Sequence, residues 1–345
     1  MKKIEENALI QIESLLNECK GNLFEYLVAQ HLAKFYEKEG DFLLKLPSDY
    51  RKRLQFYEQT IRHHNAEILI SLSPMAQQVA NEITYHSILK NKKIDSLYVI
   101  GKLSNGTNAD LWNETDIVVI EDLQNGETKK HYLSLKLSKD HSFTHTKSAG
   151  VKSFLEKYFN SIGPRASELQ QEFNNDVDES FFMMGHKLYE MIDGDFRGHF
   201  DHRFTSLYSE LPGELSPEMR KVIHQNYFRV ISKLKIALNE LYLINPHVFF
   251  QSLSSLCGFS QSEIIQVNCI HSKNALKTIS IKSFEDLFGD PFSTLDFSGI
   301  EEGGSSFEIR LKKVNLQVRI KPMNKFTTAA YKVNCSIKYK GESIE

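Results

Sequence analysis

The chain has 345 residues with 42 Lys plus Arg against 44 Asp plus Glu, a formal charge of −2 that on its face argues against a strongly basic nucleic-acid binder. An apolar share of 41% with 23 Phe and 14 Tyr supplies a buried core, and 8 Pro with 17 Gly exclude collagen-like repetition and speak against disorder. Four scattered Cys (Cys19, Cys257, Cys269, Cys335) form no CxxC pair, which argues against a disulfide framework or a Cys-based zinc site.

In chain order, residues 5–39 carry apolar positions at helical spacing (Leu9, Ile12, Leu16, Leu23, Leu27, Leu32). They predict two helices meeting at Lys20-Gly21-Asn22. Residues 50–92 again read helical, with a break expected at 71–74, where Ser73 would cap a helix with Pro74 in its first turn. From Ser96 the pattern changes. Leu97-Tyr98-Val99-Ile100 and Ile117-Val118-Val119-Ile120 are short apolar runs, and residues 132–137 alternate strictly, with Leu133, Leu135 and Leu137 opposed to Tyr132, Ser134 and Lys136. These predict strands, and Asn125-Gly126 between the second and third is a hairpin signal. A helical stretch follows at 151–159, residues 165–260 read mostly helical, and the chain turns β-rich from residue 263 in runs at 264–270, 276–281, 307–311, 316–320 and 331–339. Cys257 and Cys269 sit in apolar runs and are expected in a core. The expected division is 1–165 and 166–345, with the boundary somewhere between 160 and 215. No apolar stretch approaches the ~20 residues that span a bilayer, and the N-terminus carries no targeting pattern; the expectation is a cytoplasmic protein without a membrane anchor.

Read by position, the near-zero charge separates. Residues 309–341 hold nine basic residues and no Asp or Glu. Lys129, Lys130, Lys136, Lys139, Lys147 and Lys152 face only Asp140, and the compensating acids cluster between Glu168 and Asp195. Phosphate contacts depend on local charge, so such a partition suits a polyanion-binding face, although a pair of solvated basic surfaces explains it equally.

Three features converge on one chemistry: Glu25 in Gly21-Asn22-Leu23-Phe24-Glu25 at a helix start, Asp116 entering an apolar strand, and Lys136 on the polar face of the next strand in Ser134-Leu135-Lys136. Carboxylates supply hard oxygen ligands for Mg²⁺, and an ammonium beside them can orient water or stabilise developing negative charge. At these residues, over roughly 20–160, the sequence resembles the PD-(D/E)xK nuclease superfamily, particularly its type II restriction endonucleases.

The resemblance implies an α+β protein: an α/β nuclease core of a central mixed sheet flanked by helices, restriction-endonuclease-like, with a C-terminal β-rich extension. It implies Mg²⁺ bound by Asp116 and Glu25, Lys136 near the attacking water, and Ser134 as at most an indirect ligand. Double-stranded DNA would be the partner, and a homodimer would match a palindromic site. Lys147-Ser148-Ala149-Gly150-Val151-Lys152 resembles the basic helix start that follows the catalytic strand and would place Lys147, Ser148 and Lys152 at DNA phosphates. The basic C-terminal segment adds Arg319, Lys321, Asn324 and Lys325 as DNA-contacting candidates.

The chain departs from the pattern at Ser134, where the superfamily has Asp or Glu; Glu25 can supply the missing carboxylate, with Glu114 and Asp110 as further candidates. Register sets a condition. A strict two-residue turn would put Asp116 and Lys136 on opposite faces, so the nuclease reading requires a longer turn or a bulge. A catalytically inactive nucleic-acid-binding relative and a protein-interaction scaffold remain the competing readings.

Overall fold

The computed structural model describes residues 2–100, 115–123, 125–139, 144–259, 263–272, 275–288, 295–322 and 325–340, with side chains described from residue 12 onward except at 144–146. The helices are α1 (Lys2–Phe35), α2 (Glu39–Lys45), α3 (Ser48–Asn65), α4 (Glu67–Tyr85), α5 (Phe154–Phe159), α6 (Pro164–Glu190), α7 (His202–Leu207), α8 (Pro217–Ile244), α9 (Pro246–Leu256) and α10 (Phe284–Phe288). The strands are β1 (Ile94–Val99), β2 (Ile117–Asp122), β3 (Thr128–Ser138), β4 (Thr144–Gly150), β5 (Ile264–Ser272), β6 (Ala275–Ser283), β7 (Asp296–Phe297), β8 (Ser306–Arg310), β9 (Val314–Pro322) and β10 (Tyr331–Tyr339). The protein is α+β.

The chain forms two compact units, residues 1–141 with 261–286 and residues 142–260 with 287–345. The single cut expected at 165 therefore gives way to a discontinuous division. Its cause is the pairing of β3 with β5: Ser134 is level with Gln266 and Lys136 with Asn268, in parallel, which draws a distant segment into the first sheet.

The first unit holds a mixed sheet in the order β1-β2-β3-β5-β6. Its apolar face, with Leu97, Val99, Ile117, Val119, Leu133, Leu135, Val267 and Cys269, packs in one core with Phe24, Val28 and Leu32 of α1 and Val79 and Ile83 of α4. The alternation read in β3 is this pleat, one set of side chains in the helical layer and the other on a polar face.

Two helix expectations are corrected. α1 runs unbroken through Gly21. A mid-helix glycine costs about 1 kcal/mol, which burial of Cys19, Leu23 and Phe24 on either side outweighs. The break between the next helices falls at Ala66 rather than at 71–74, where Asn65 Oδ1 accepts the Glu67 amide at 3.2 Å. Pro74 lies inside α4, forfeiting one backbone bond without ending the helix.

The second unit holds the sheet β4-β10-β9-β8-β7 and the helices α5 to α9. Along β9, Val314, Leu316, Val318 and Ile320 are buried, while Asn315, Gln317, Arg319 and Lys321 face the other way. Asp201, in a motif rich in His and Asp, caps α7 by accepting the Phe204 amide and also accepts the Tyr189 hydroxyl at 2.8 Å. All four cysteines are buried free thiols. Among the described residues, no helix is long and apolar enough to cross a membrane.

Candidate active site

The site is built where β2 and β3 part. Their regular ladder begins at Ile117 opposite Leu133 and ends at Asp122 opposite Thr128, so the hairpin loop covers residues 123–127 rather than the two-residue turn that Asn125-Gly126 suggested. Gly126 takes φ +85°, and Asn125 Oδ1 accepts the Glu127 amide, so the motif shapes the loop without setting its length. One residue outside the ladder, the Asp116 amide donates to Leu133 O at 2.9 Å, a step out of register. The Asp116 carboxylate then accepts the Leu135 amide at 2.6 Å, replacing a backbone acceptor at the point where the strands diverge. The longer loop and this irregularity meet the condition that register imposed.

The consequence is a compact polar group. Lys136 Nζ lies 4.0 Å from Asp116 Oδ2, with side-chain exposures of 41% and 18%. The buried Ser134 hydroxyl hydrogen-bonds the same carboxylate. Burial pushes the Asp116 carboxyl above the usual range, and that effect outweighs the Lys136 charge and the bonds from Leu135 and Ser134, all of which favour the anion. A carboxylate so desolvated and matched by one ammonium is a site that a further cation would stabilise.

Glu25 sits in mid-helix on α1, not one turn inside a new helix as the sequence suggested, because α1 is continuous. It is half-buried. Its link to the group is Tyr50 of α3, which sequence reasoning missed. Tyr50 is 3% exposed and its hydroxyl has no hydrogen-bond partner. Burial raises its pKa most, followed by the negative charge of Glu25 and, more weakly, by Tyr57, Tyr26 and Asp116. Both carboxylates therefore act on one buried hydroxyl. Nothing in the spacing of the 14 tyrosines marks this one.

Among the described residues there is no group of three or more His, Cys, Asp or Glu side chains that could hold a metal. Mg²⁺ commonly takes only one or two protein carboxylates and keeps several waters. Asp116 and Glu25 are hard-oxygen donors of the kind such an ion takes. Glu114 and Asp110 lie outside the described residues.

The remaining candidates belong to the second unit. Residues 147–152 do not open a helix: Lys147 and Ser148 are in β4, Lys152 is in a single 3-10 turn, and α5 beyond it has six residues. Lys152 Nζ is held by both oxygens of Asp178 at 2.6 Å. Lys325 is likewise held by Glu210 at 3.0 and 2.9 Å, with Thr327 donating to the same carboxylate at 2.7 Å. Two lysines expected at phosphates are thus each ion-paired with an acid of the same unit. Asn324 lies outside the described residues.

Arg319 and Lys321 behave differently. In register they stand beside Asn334 and Lys332 of β10, and Asn334 stands beside Ser148 of β4. This polar face gathers Gln317, Arg319, Lys321, Lys332, Asn334 and Ser148. Arg319, Lys321 and Lys332 have no ion-pair partner among the described residues. Lys332 was not among the sequence candidates; the β9–β10 register brings it in.

No protein-family model matches the chain, and no curated protein matches it. The fold defines an α+β protein with a mixed sheet covered by helices. Among solved structures, the chain is similar to the restriction endonuclease MspI in complex with its cognate DNA, over 88% of this chain and 97% of that one, at a TM-score of 0.35 and 9% identity. A likeness at that level carries no functional argument.

Proposed function

We propose that the protein is a Mg²⁺-dependent endodeoxyribonuclease that hydrolyses phosphodiester bonds in double-stranded DNA, of the type II restriction kind, acting as a homodimer on palindromic sites. The observation that carries this reading is the placement of Lys136 Nζ 4.0 Å from an Asp116 carboxylate that also accepts the Leu135 amide. Asp116 and Glu25 would hold the ion. When bound, Mg²⁺ supplies a water of lowered pKa and neutralises charge on the phosphoryl oxygens. Ser134 and the Leu135 amide orient the Asp116 carboxylate. The Lys136 ammonium, anchored on the same strand, orients the attacking water or stabilises the negative charge that develops at phosphorus. Arg319, Lys321 and Lys332, which have no ion-pair partner among the described residues, would bind the duplex backbone through their charge, and Gln317 and Asn334 can donate to base edges.

One feature favours a second reading, a nucleic-acid-binding relative that does not cut: the hydroxyl of Ser134 stands where a carboxylate would complete the ligand set. Incubation of supercoiled plasmid and phage DNA with the full chain, with and without Mg²⁺, separates the two. Discrete fragments that disappear with EDTA and in Asp116→Asn support the nuclease. Intact DNA that still shifts in a gel without metal supports the binding protein.

A further inference from the structure

The first unit contains a second polar site, distinct from the Asp116 group and not used by the proposed hydrolysis. A cavity of about 430 Å³ is lined by Lys20 and Asn17 of α1, Asn65 of α3, His271 of β5, and Lys139 and Glu13. That volume lies within the ~300 to 1,000 Å³ usual for small-molecule sites. Lys20 is 7% exposed and His271 is 5% exposed, and Lys20 Nζ lies 2.8 Å from His271 Nε2.

A buried ammonium normally takes a carboxylate partner, because an unpaired buried charge is costly. Lys20 instead takes an imidazole. An ammonium has no lone pair, so it must donate to Nε2, and Nε2 must be the unprotonated nitrogen. Burial, then Lys20 and Lys139, hold the His271 pKa down to about 4, so the ring is neutral near pH 7 and its proton resides on Nδ1. Nδ1 is buried and has no hydrogen-bond partner. Lys139 contributes a second ammonium, reaching Glu13 at 3.4 Å where both side chains are mostly exposed. The cavity thus presents two ammonium groups against one solvent-screened carboxylate.

We propose that this cavity is a phosphate-binding site, in which Lys20 and Lys139 hold the oxygens of a phosphoryl group. Two ammonium groups supplied by different elements suit an anion with several acceptor oxygens better than a single-atom anion. The phosphoryl group can belong to a free phosphate ester or to a nucleic-acid chain. The site goes beyond the nuclease reading and does not depend on it, since no Mg²⁺ ligand takes part.

The test is calorimetric titration of the full chain with inorganic phosphate in metal-free buffer, together with thermal melts. Wild type should bind phosphate saturably and melt higher in its presence. Lys20→Met removes a charge-assisted donor and should weaken binding about tenfold or more. Without phosphate it should melt no lower than wild type, because it relieves a buried cation. Lys139→Ala, on an exposed side chain, should weaken binding several-fold and leaves the fold intact if the Lys20 variant does not. Unchanged phosphate affinity in Lys20→Met, or an absence of saturable binding in wild type, overturns the proposal. A lowered melting point of Lys20→Met in metal- and phosphate-free buffer, with no phosphate-induced rise in wild type, does so too, since it marks a purely structural lysine. Competition identifies the source: displacement by a short DNA duplex assigns a chain phosphate, and displacement by a deoxynucleoside 5′-monophosphate but not by duplex assigns a free ester. Either result supports the site, and neither depends on cleavage.

Discussion

The two sheets each turn one polar face away from an apolar layer, and the two faces are built for different physics. On the first, a carboxylate with 18% side-chain exposure is fixed by a backbone amide, a hydroxyl and a lysine within one diverging strand pair. On the second, Arg319, Lys321 and Lys332 stand in register with Asn334 and Gln317 nearby and no ion-pair partners among the described residues. Desolvation makes the first group costly to charge, and its hydrogen bonds fix it in place, as the proposed reaction centre would require. The second group is only partly buried and carries unmatched positive charge, which suits attraction of a polyanion. In the proposed reading, chemistry and charge would reside on separate faces, each open to removal without the other.

The largest expected effect is on the first face. Lys136→Ala or Asp116→Asn should lower Mg²⁺-dependent DNA cleavage by roughly 10²-fold or more while leaving duplex affinity in EDTA within about twofold of wild type. Plasmid cleavage and fluorescence anisotropy measure the two quantities. Parallel loss of both would mean that the faces are not separable.

Next comes the converse variant. Replacing Arg319, Lys321 and Lys332 together with Ala should weaken duplex binding and flatten the dependence of log K on log salt by about 3, near 1 for each phosphate that is no longer neutralised. As controls, Lys152→Ala and Lys325→Ala should change that slope little, since Asp178 and Glu210 already occupy those ammonium groups. A slope equally sensitive to the paired and unpaired lysines would show that local ion pairing does not decide which cations reach DNA.

The sequence made the first face legible in part. Strict alternation in 132–137 announced the polar set of β3, and a carboxylate entering an apolar run announced Asp116. What it hid was long-range. The partner of β3 on its other side, β5, lies some 130 residues on, as Tyr132 level with Ile264 shows, and no local pattern records a parallel pairing. Gly21 suggested a break because its intrinsic cost is visible locally, whereas the burial of Leu23 and Phe24 that offsets it is not. Likewise, the pairing of Lys152 with Asp178 and of Lys325 with Glu210 was hidden because those acids are remote in sequence, and Lys332 was passed over because only the β9–β10 register sets it beside Lys321.

The smallest expected effect tests whether the buried chemistry of the first face extends into the helical layer through Tyr50. Its hydroxyl is inside the core, has no partner, and feels both Glu25 and Asp116. An unsatisfied buried hydroxyl costs about 1 to 3 kcal/mol, a cost a metal-bound water would relieve by accepting its proton in a hydrogen bond or donating one to it. Tyr50→Phe keeps the ring packing and removes the orphan. In EDTA it should melt at or slightly above the wild-type temperature. With Mg²⁺ it should gain less stability than wild type and should require several-fold more Mg²⁺ for half-maximal cleavage, with little change in rate at saturation. The pairing of those signs is what distinguishes a positioning role from a structural one. A hydroxyl that merely supports the core would lower the melting point when removed, by the same amount with and without the metal, and would leave the Mg²⁺ requirement where it was.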